Sequence, residues 1–417
     1  MVKRNFLKAI GPGLLWAGAA IGVSHIVQST RAGAGFGFAL IWVIIFANLL
    51  KYPFFEFAPR YAASTGETLI DGYRRLGKWA VWIYAVITVF TMFFLMSAVT
   101  VVTAGIFANV FHSTLAVNYW AIIILLILAA VVIIGKYSVI DKFVKLIIVL
   151  LAIAVIIAVI AAFSEGYHPK PEYLHKFDWL TDIGFLLALV GWMPTAVDVS
   201  VWHSVWTIAK KKETGYAPTL KESLLDFKIG YFGTAVLSLF FLSLGALIMY
   251  GSGETFSASG VAFAGQLINL FTASIGPWAY YIIAVAALAT MVSTTVTCLD
   301  AYPRVLEPTT KIIVPKLNTD KYTKKLQLGS LFIVLAGTVI IFLFFLGNMK
   351  QMVDIATIIA FLTAPVLGWL NLKVITGNNV PEEAKPGKFL IVLSWIGLFF
   401  LTAFGLYFLY IRFFISY

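Results

Sequence analysis

Residues 17–30 read AGAAIGVSHIVQST, and they place glycine, serine and one histidine in the middle of the first long apolar run of the chain. A plain membrane-crossing helix has no use for them there, because glycine weakens a helix and polar groups out of water need partners. A second irregularity stands at residues 189–204, LVGWMPTAVDVSVWHS, where Gly191, Pro194 and Asp198 interrupt another apolar run. Proline removes a backbone donor and clashes with the preceding turn, so a break or kink is expected at Met193 and Pro194. Two interrupted apolar runs at corresponding positions of two halves point to a midplane binding site in an inverted-repeat transporter.

The rest of the chain supports that frame. It has 417 residues, 61% of them hydrophobic and 12% charged, with mean hydropathy +0.94, far from the quarter or so of charged residues usual in soluble chains. Apolar runs near the roughly 20 residues that a helix needs to cross a bilayer recur throughout. About eleven spans are expected, at 10–36, 38–62, 80–108, 116–135, 142–163, 181–208, 228–250, 275–299, 327–347, 352–375 and 388–413. The runs are continuous and rich in Leu, Ile and Ala, which excludes the alternating strands of a barrel. The basic start MVKRNFLKAIGPGLL leads into a run too long for a signal-peptide core and is read as a retained first span. One cysteine, Cys298, allows no intrachain disulfide, and no Cys/His spacing resembles a zinc site.

The net charge of +11 is scattered over short connections, so it marks topology and not a nucleic-acid partner. Basic residues fill the N-terminus (Lys3, Arg4, Lys8) and every second connection, among them Arg60, Arg74, Arg75 and Lys78, then Lys136, Lys142 and Lys145, then Lys210 to Lys212, then Arg304 and Lys311. By the positive-inside rule the N-terminus is expected in the cytoplasm and the C-terminus outside a cell membrane. The chain is read as one transmembrane domain, 1–417, with repeats at 10–163 and 181–375 and an additional helix at 388–413. Hydropathy and position carry the repeat, since the halves share no usable residue identity. A lipid bilayer and a small solute or metal ion are the expected partners, and the sequence leaves the oligomeric state open, a monomer being compatible with it.

The run GPGLLWAGAAIGVSHIVQSTRAGAGFGFALIWVIIFANLLKYPFFEFAPRYAASTGETL, the connection GKYSVIDKFVKLIIVLLAI and the Met-Pro at 193–194 resemble the Nramp (natural resistance-associated macrophage protein) family of proton-coupled divalent-metal transporters. The resemblance implies an all-α LeuT-type fold of eleven helices, a 5+5 inverted repeat with helices 1 and 6 broken plus one extra helix. It also implies secondary transport of a metal cation by alternating access, in symport with protons, without a bound cofactor.

The departures fall where the family does its chemistry. In ungapped register, the Asp and Asn of the family's first-helix motif correspond to Gly22 and His25, and the His after its Met-Pro corresponds to Thr195. Met193 keeps the thioether. The family's second-span Gln falls at Phe55 or Glu56, its tenth-span Gln near Thr363, and the third span has no acid. Candidate substrate contacts are therefore Gly22, His25, Gln28, Val190, Trp192, Met193, Thr195 and Thr363. His25, Glu56, Asp198 and His203 are the candidates for moving a proton, because histidine changes charge near neutral pH and an acid within a span is costly unless it pairs or functions. A metal would draw on His25, Met193 and Asp198, a set that suits transition metals. The alternative is an organic solute on the same scaffold. His25 could equally hydrogen-bond a neighbouring helix, Met193 could fill space, and Glu56 could pair with Arg60 four residues on. Lys51 and Arg31 are expected to reach an interface or to pair with an acid. No nucleotide loop, nucleophile elbow or metallohydrolase motif occurs, so no enzyme is expected. Two broken helices without a ring-forming filter favour alternating access over a channel.

Overall fold

The computed structural model describes residues 11–134, 137–344 and 348–415. Lys3, Arg4, Lys8 and Lys136 lie outside the described residues, which hold helices and no strand. Eight long apolar helices cross without interruption: Ile41–Thr65 (span 2), Lys78–Val110 (span 3), Val117–Ile134 (span 4), Leu220–Ile248 (span 7), Tyr280–Ile313 (span 8), Asp320–Phe344 (span 9), Met349–Ile375 (span 10) and Lys388–Phe414 (span 11). Tyr137–Glu165 (span 5) and the two interrupted runs complete the expected eleven.

Both interruptions fall where glycine and proline put them. Span 1 consists of half-helix 1a, Pro12–Ala20, two non-helical residues Ile21 and Gly22, a π-helical turn Val23–Ser29, and half-helix 1b, Thr30–Phe36. Span 6 consists of half-helix 6a, Trp179–Gly191, an unwound segment holding the cis Met193-Pro194 bond, and half-helix 6b, Val199–Thr214.

Local signals also explain where helices extend past their expected limits. Thr219 and Glu222 form a reciprocal cap that starts span 7 eight residues before the expected 228. Span 8 continues to Ile313 because Asp300 with Arg304 and Glu307 with Lys311, each pair at 2.6 Å, support its final turns. A helix at Gly260–Ile275, expected as loop, is a correction. At 16 residues it is too short to cross, and it buries Phe263, Leu267, Leu270 and Phe271 against spans 3 and 5.

The broken spans are gripped tightly. A Cβ at Gly33 in half-helix 1b would stand 1.9 Å from the Leu242 carbonyl oxygen of span 7, and one at Gly191 would stand 2.0 Å from the Thr357 carbonyl oxygen of span 10. Only glycine allows those backbones to approach so closely. Half-helix 1a is tied to span 7 by Asp226, whose carboxylate accepts from Gly13 N–H at 2.6 Å and Gly11 N–H at 3.3 Å. The outer faces of spans 9 and 11 present bare apolar side chains such as Phe332, Phe344, Phe399 and Phe414, which suits lipid.

Candidate functional site

The last carbonyls of a helix lack intrahelical donors and carry the negative end of its dipole, so each break exposes a small acceptor cluster. In this chain both clusters are occupied by side chains. At the end of half-helix 1a the Thr294 hydroxyl of span 8 reaches the carbonyls of Gly18 at 3.2 Å and Ile21 at 3.1 Å. At the end of half-helix 6a the Lys51 ammonium of span 2 donates to the carbonyls of Val190 at 3.0 Å, Gly191 at 2.9 Å and Thr195 at 2.9 Å. Lys51 is fully buried and makes no ion pair among the described residues, where it reaches neither an interface nor an acid. Arg31 does pair with an acid: its guanidinium grips Asp354 of span 10 at 2.6 and 3.1 Å.

His25 is tied to span 7 and to the serine that precedes it. Its Nε2 donates to the Thr234 carbonyl of span 7 at 2.9 Å, and Nδ1 lies 2.7 Å from the Ser24 hydroxyl. Both ring nitrogens are therefore engaged within the packing of spans 1 and 7. Gln28 is anchored to span 10 through Asp354 at 3.2 Å and Thr357 at 3.4 Å, and it accepts from Arg31 at 2.6 Å. Glu56 is held by Arg60, whose Nε donates at 2.9 Å and which also reaches the Ala384 carbonyl. Thr363 turns back on its own helix, bonding the Ile359 and Ala360 carbonyls.

Asp198 opens half-helix 6b, buried, with no side-chain hydrogen-bond partner for either carboxylate oxygen among the described residues. Lys51, Tyr84 and Tyr302 lie within its electrostatic reach. His203, also buried and unpartnered at both nitrogens, sits against Phe227 with ring centroids 5.8 Å apart. Met193 is fully buried in the unwound segment. The structure does not assemble His25, Met193 and Asp198 into a ligand set, since His25 is committed to span 7. Among the described residues no three His, Cys, Asp or Glu stand together as metal ligands.

What lies between the breaks is a small cavity of about 20 Å³, lined by Ala19, Ala20, Val23 and Ser24 of span 1, Leu95 and Val99 of span 3, Trp192, Thr195, Val199 and Trp202 of span 6, and Thr294 and Cys298 of span 8. Only Trp192 and Thr195 among these were expected from sequence. Ser24, Trp202, Thr294 and Cys298 were not, because a serine, threonine or cysteine inside a span has no distinguishing pattern. A larger vestibule of about 640 Å³ opens on the face where half-helix 1b ends, between Phe36, His175, Asp182, Phe185, Glu254, Lys350 and the Arg31–Asp354 pair. A further buried junction was also missed: Asn371 of span 10 donates to the Phe54 carbonyl at 3.0 Å and the Ser200 hydroxyl at 2.9 Å, and accepts from Tyr73 at 2.5 Å.

A helical membrane protein whose first and sixth spans are both unwound around one central cavity is a transporter of the LeuT-type fold. The comparisons give the family. A family model described as Natural resistance-associated macrophage protein-like matches residues 13–411, and the chain belongs to the Nramp family. It is 38% identical over 406 residues to an uncharacterized protein of Pasteurella multocida, covering 96% of this chain and 92% of that one. It is 31% identical to the divalent metal cation transporter MntH of Yersinia pestis over 92 residues, 21% of this chain and 22% of that protein. Among solved structures, a variant of the Eremococcus coleocola manganese transporter matches with TM-score 0.66 at 15% identity, covering 97% of this chain and 86% of the other. MhsT in complex with L-phenylalanine matches with TM-score 0.62 at 17% identity, covering 97% and 98%. Those structural likenesses show the fold.

Proposed function

We propose that this transporter carries a small non-metal solute by alternating access, with the cavity between the two breaks as its site. One observation carries the reading: the cavity wall offers the hydroxyls of Ser24, Thr195 and Thr294, the thiol of Cys298 and the rings of Trp192 and Trp202, and no carboxylate, amide or imidazole. Divalent cations select anionic oxygen, imidazole or thiolate ligands, whereas apolar walls with a few hydrogen-bonding groups suit an organic molecule, which this cavity of about 20 Å³ admits only when the half-helices part. The same fold holds L-phenylalanine in MhsT. Thr195 contributes a hydroxyl and Trp192 a ring to that site, Gly22 and Val190 stand at the breaks beside it, and His25 and Gln28 fix span 1 to spans 7 and 10.

Asp198 is the proton carrier in this reading, as an acid buried within a span with no side-chain hydrogen bond among the described residues. The positive-inside pattern puts the N-terminus in the cytoplasm and the C-terminus outside, so the vestibule faces outward. The chain works as a single transmembrane domain, 1–417, and a monomer contains every element of the site. A second reading, a transition-metal cargo, is favoured by Met193, which places a thioether in the unwound segment.

Flux into liposomes separates the readings. Reconstituted protein is assayed with Mn²⁺, Zn²⁺ and a panel of neutral and zwitterionic organic solutes, with and without an imposed pH gradient. Uptake of an organic solute without metal flux is expected, with the gradient dependence abolished in Asp198→Asn. Mn²⁺ uptake that disappears in Met193→Ala would establish the second reading instead.

A further inference from the structure

The ammonium at the end of half-helix 6a has no task in the cargo reading above. Lys51 comes from span 2, which packs on half-helix 6b, and its three N–H donors are all used on Val190, Gly191 and Thr195. Those carbonyls lie on both sides of the Met193-Pro194 bond, so one charge closes the break from either flank. Asp198 is within electrostatic reach but does not bond it, and a buried lysine without an acid partner is costly unless the backbone is its intended partner. The Phe55 ring, 6.0 Å from the nitrogen, adds a cation–π contact. Backbone oxygens of an unwound transporter helix otherwise serve as a seat for a coupling ion.

We propose that Lys51 is a built-in cation: its ammonium occupies the seat at the span 6 break that a bound metal or alkali ion would take, and so determines selectivity against cations. The inference rests on the reading of the breaks as the transport site. It adds that the site holds a positive charge of its own, so neither Na⁺ nor a divalent ion is needed there. Removing the side chain would leave an ammonium-sized gap facing three unsatisfied carbonyls, and that gap would be open to cations from solution.

The test reads thermal unfolding of detergent-purified protein in a buffer whose only cation is bulky N-methyl-D-glucamine. Wild type should melt at the same temperature whether or not Na⁺, Mn²⁺ or n-butylammonium is added. Lys51→Ala should melt lower by roughly 5 °C or more, as stranded buried acceptors predict, and should recover at least half of that shift with n-butylammonium. Lys51→Met, which keeps the stem and loses the charge, should remain destabilised. A Lys51→Met protein with the wild-type midpoint would overturn the proposal, since Lys51 would then only fill space. So would Lys51→Ala indifferent to every cation. If neither variant folds, wild type still decides: a midpoint raised by Na⁺ or Mn²⁺ overturns the proposal, and a midpoint unchanged by every cation upholds it. Butylammonium rescue without flux of any organic solute would sink the cargo reading and leave Lys51's role standing.

Discussion

At Gly22 the room that a side chain would need is taken by Thr294. A Cβ there would meet the Thr294 Oγ1 and Cγ2 atoms at 2.9 Å, so the family's aspartate cannot simply be restored. Gly22→Asp should destabilise the protein by about 1–3 kcal/mol, the usual cost of overpacking. Adding Thr294→Ala removes both clashing atoms and should recover at least half of the loss. A double variant no more stable than Gly22→Asp alone would show that Thr294 is not the obstacle. The loss of the acid at Gly22 was legible from the sequence motif, and so was the interest of Asp198. The occupants of the two carbonyl clusters were not legible. Thr294 and Lys51 bind main-chain oxygens, which every residue has, so no residue type marks their partners. A divalent ion 4 Å from the Lys51 ammonium would meet a repulsion of about 8 kcal/mol at an effective dielectric of about 20.

Helices carry their own lessons. Both breaks were readable because glycine and proline act locally, through φ freedom and a missing donor. The helix at Gly260–Ile275 was not readable, because its apolar face follows a polar loop and merges with the start of span 8 in any hydropathy window. Half-helix 1a depends on a contact from a residue more than two hundred positions away: Asp226 accepts from Gly11 and Gly13, satisfying donors that a first turn leaves open. Asp226→Ala strands those buried N–H groups and should cost about 1.5–3 kcal/mol, visible as a lower midpoint in thermal unfolding. Outside the membrane, the short helix Leu69–Leu76 is secured by Glu67, whose carboxylate binds Arg75 at 2.5 and 2.8 Å. The Arg75 hydrogen bonds hold Glu67 below the usual carboxylate range. Because the folded state prefers the charged form, this support is complete above the unfolded pKa of about 4.3 and is lost as pH falls through the lowered folded value. Hydrogen exchange of residues 69–76 should accelerate over that acid window more than its intrinsic pH dependence predicts, and Glu67→Gln should abolish the excess.

For the whole molecule, the fold separates a vestibule of about 640 Å³ from a centre of about 20 Å³. The Arg31–Asp354 pair joins half-helix 1b to span 10 at the vestibule, and Gln28 continues the link one turn closer to the break. Sidedness can be measured directly. Cys298 is buried, so in a Cys298→Ser background a single added cysteine is the only target. Thr255→Cys, exposed beside the vestibule, should react with a membrane-impermeant maleimide on intact cells. Lys212→Cys, exposed in the last turn of half-helix 6b and near the opposite end of span 7, should react only after permeabilisation. The reverse pattern would invert the proposed topology.

Lys51 has an electrical consequence as well. Each elementary charge carried across a membrane gains or loses about 2.3 kcal/mol per 100 mV of potential. A bound ion released on the far side collects that work once per cycle, and the voltage then drives or opposes its accumulation. An ammonium fixed to span 2 goes out and returns with the chain, so over a full cycle its net electrical work is zero. By holding its cation covalently, the span 6 break keeps a positive charge against its carbonyls while that charge adds nothing to the current.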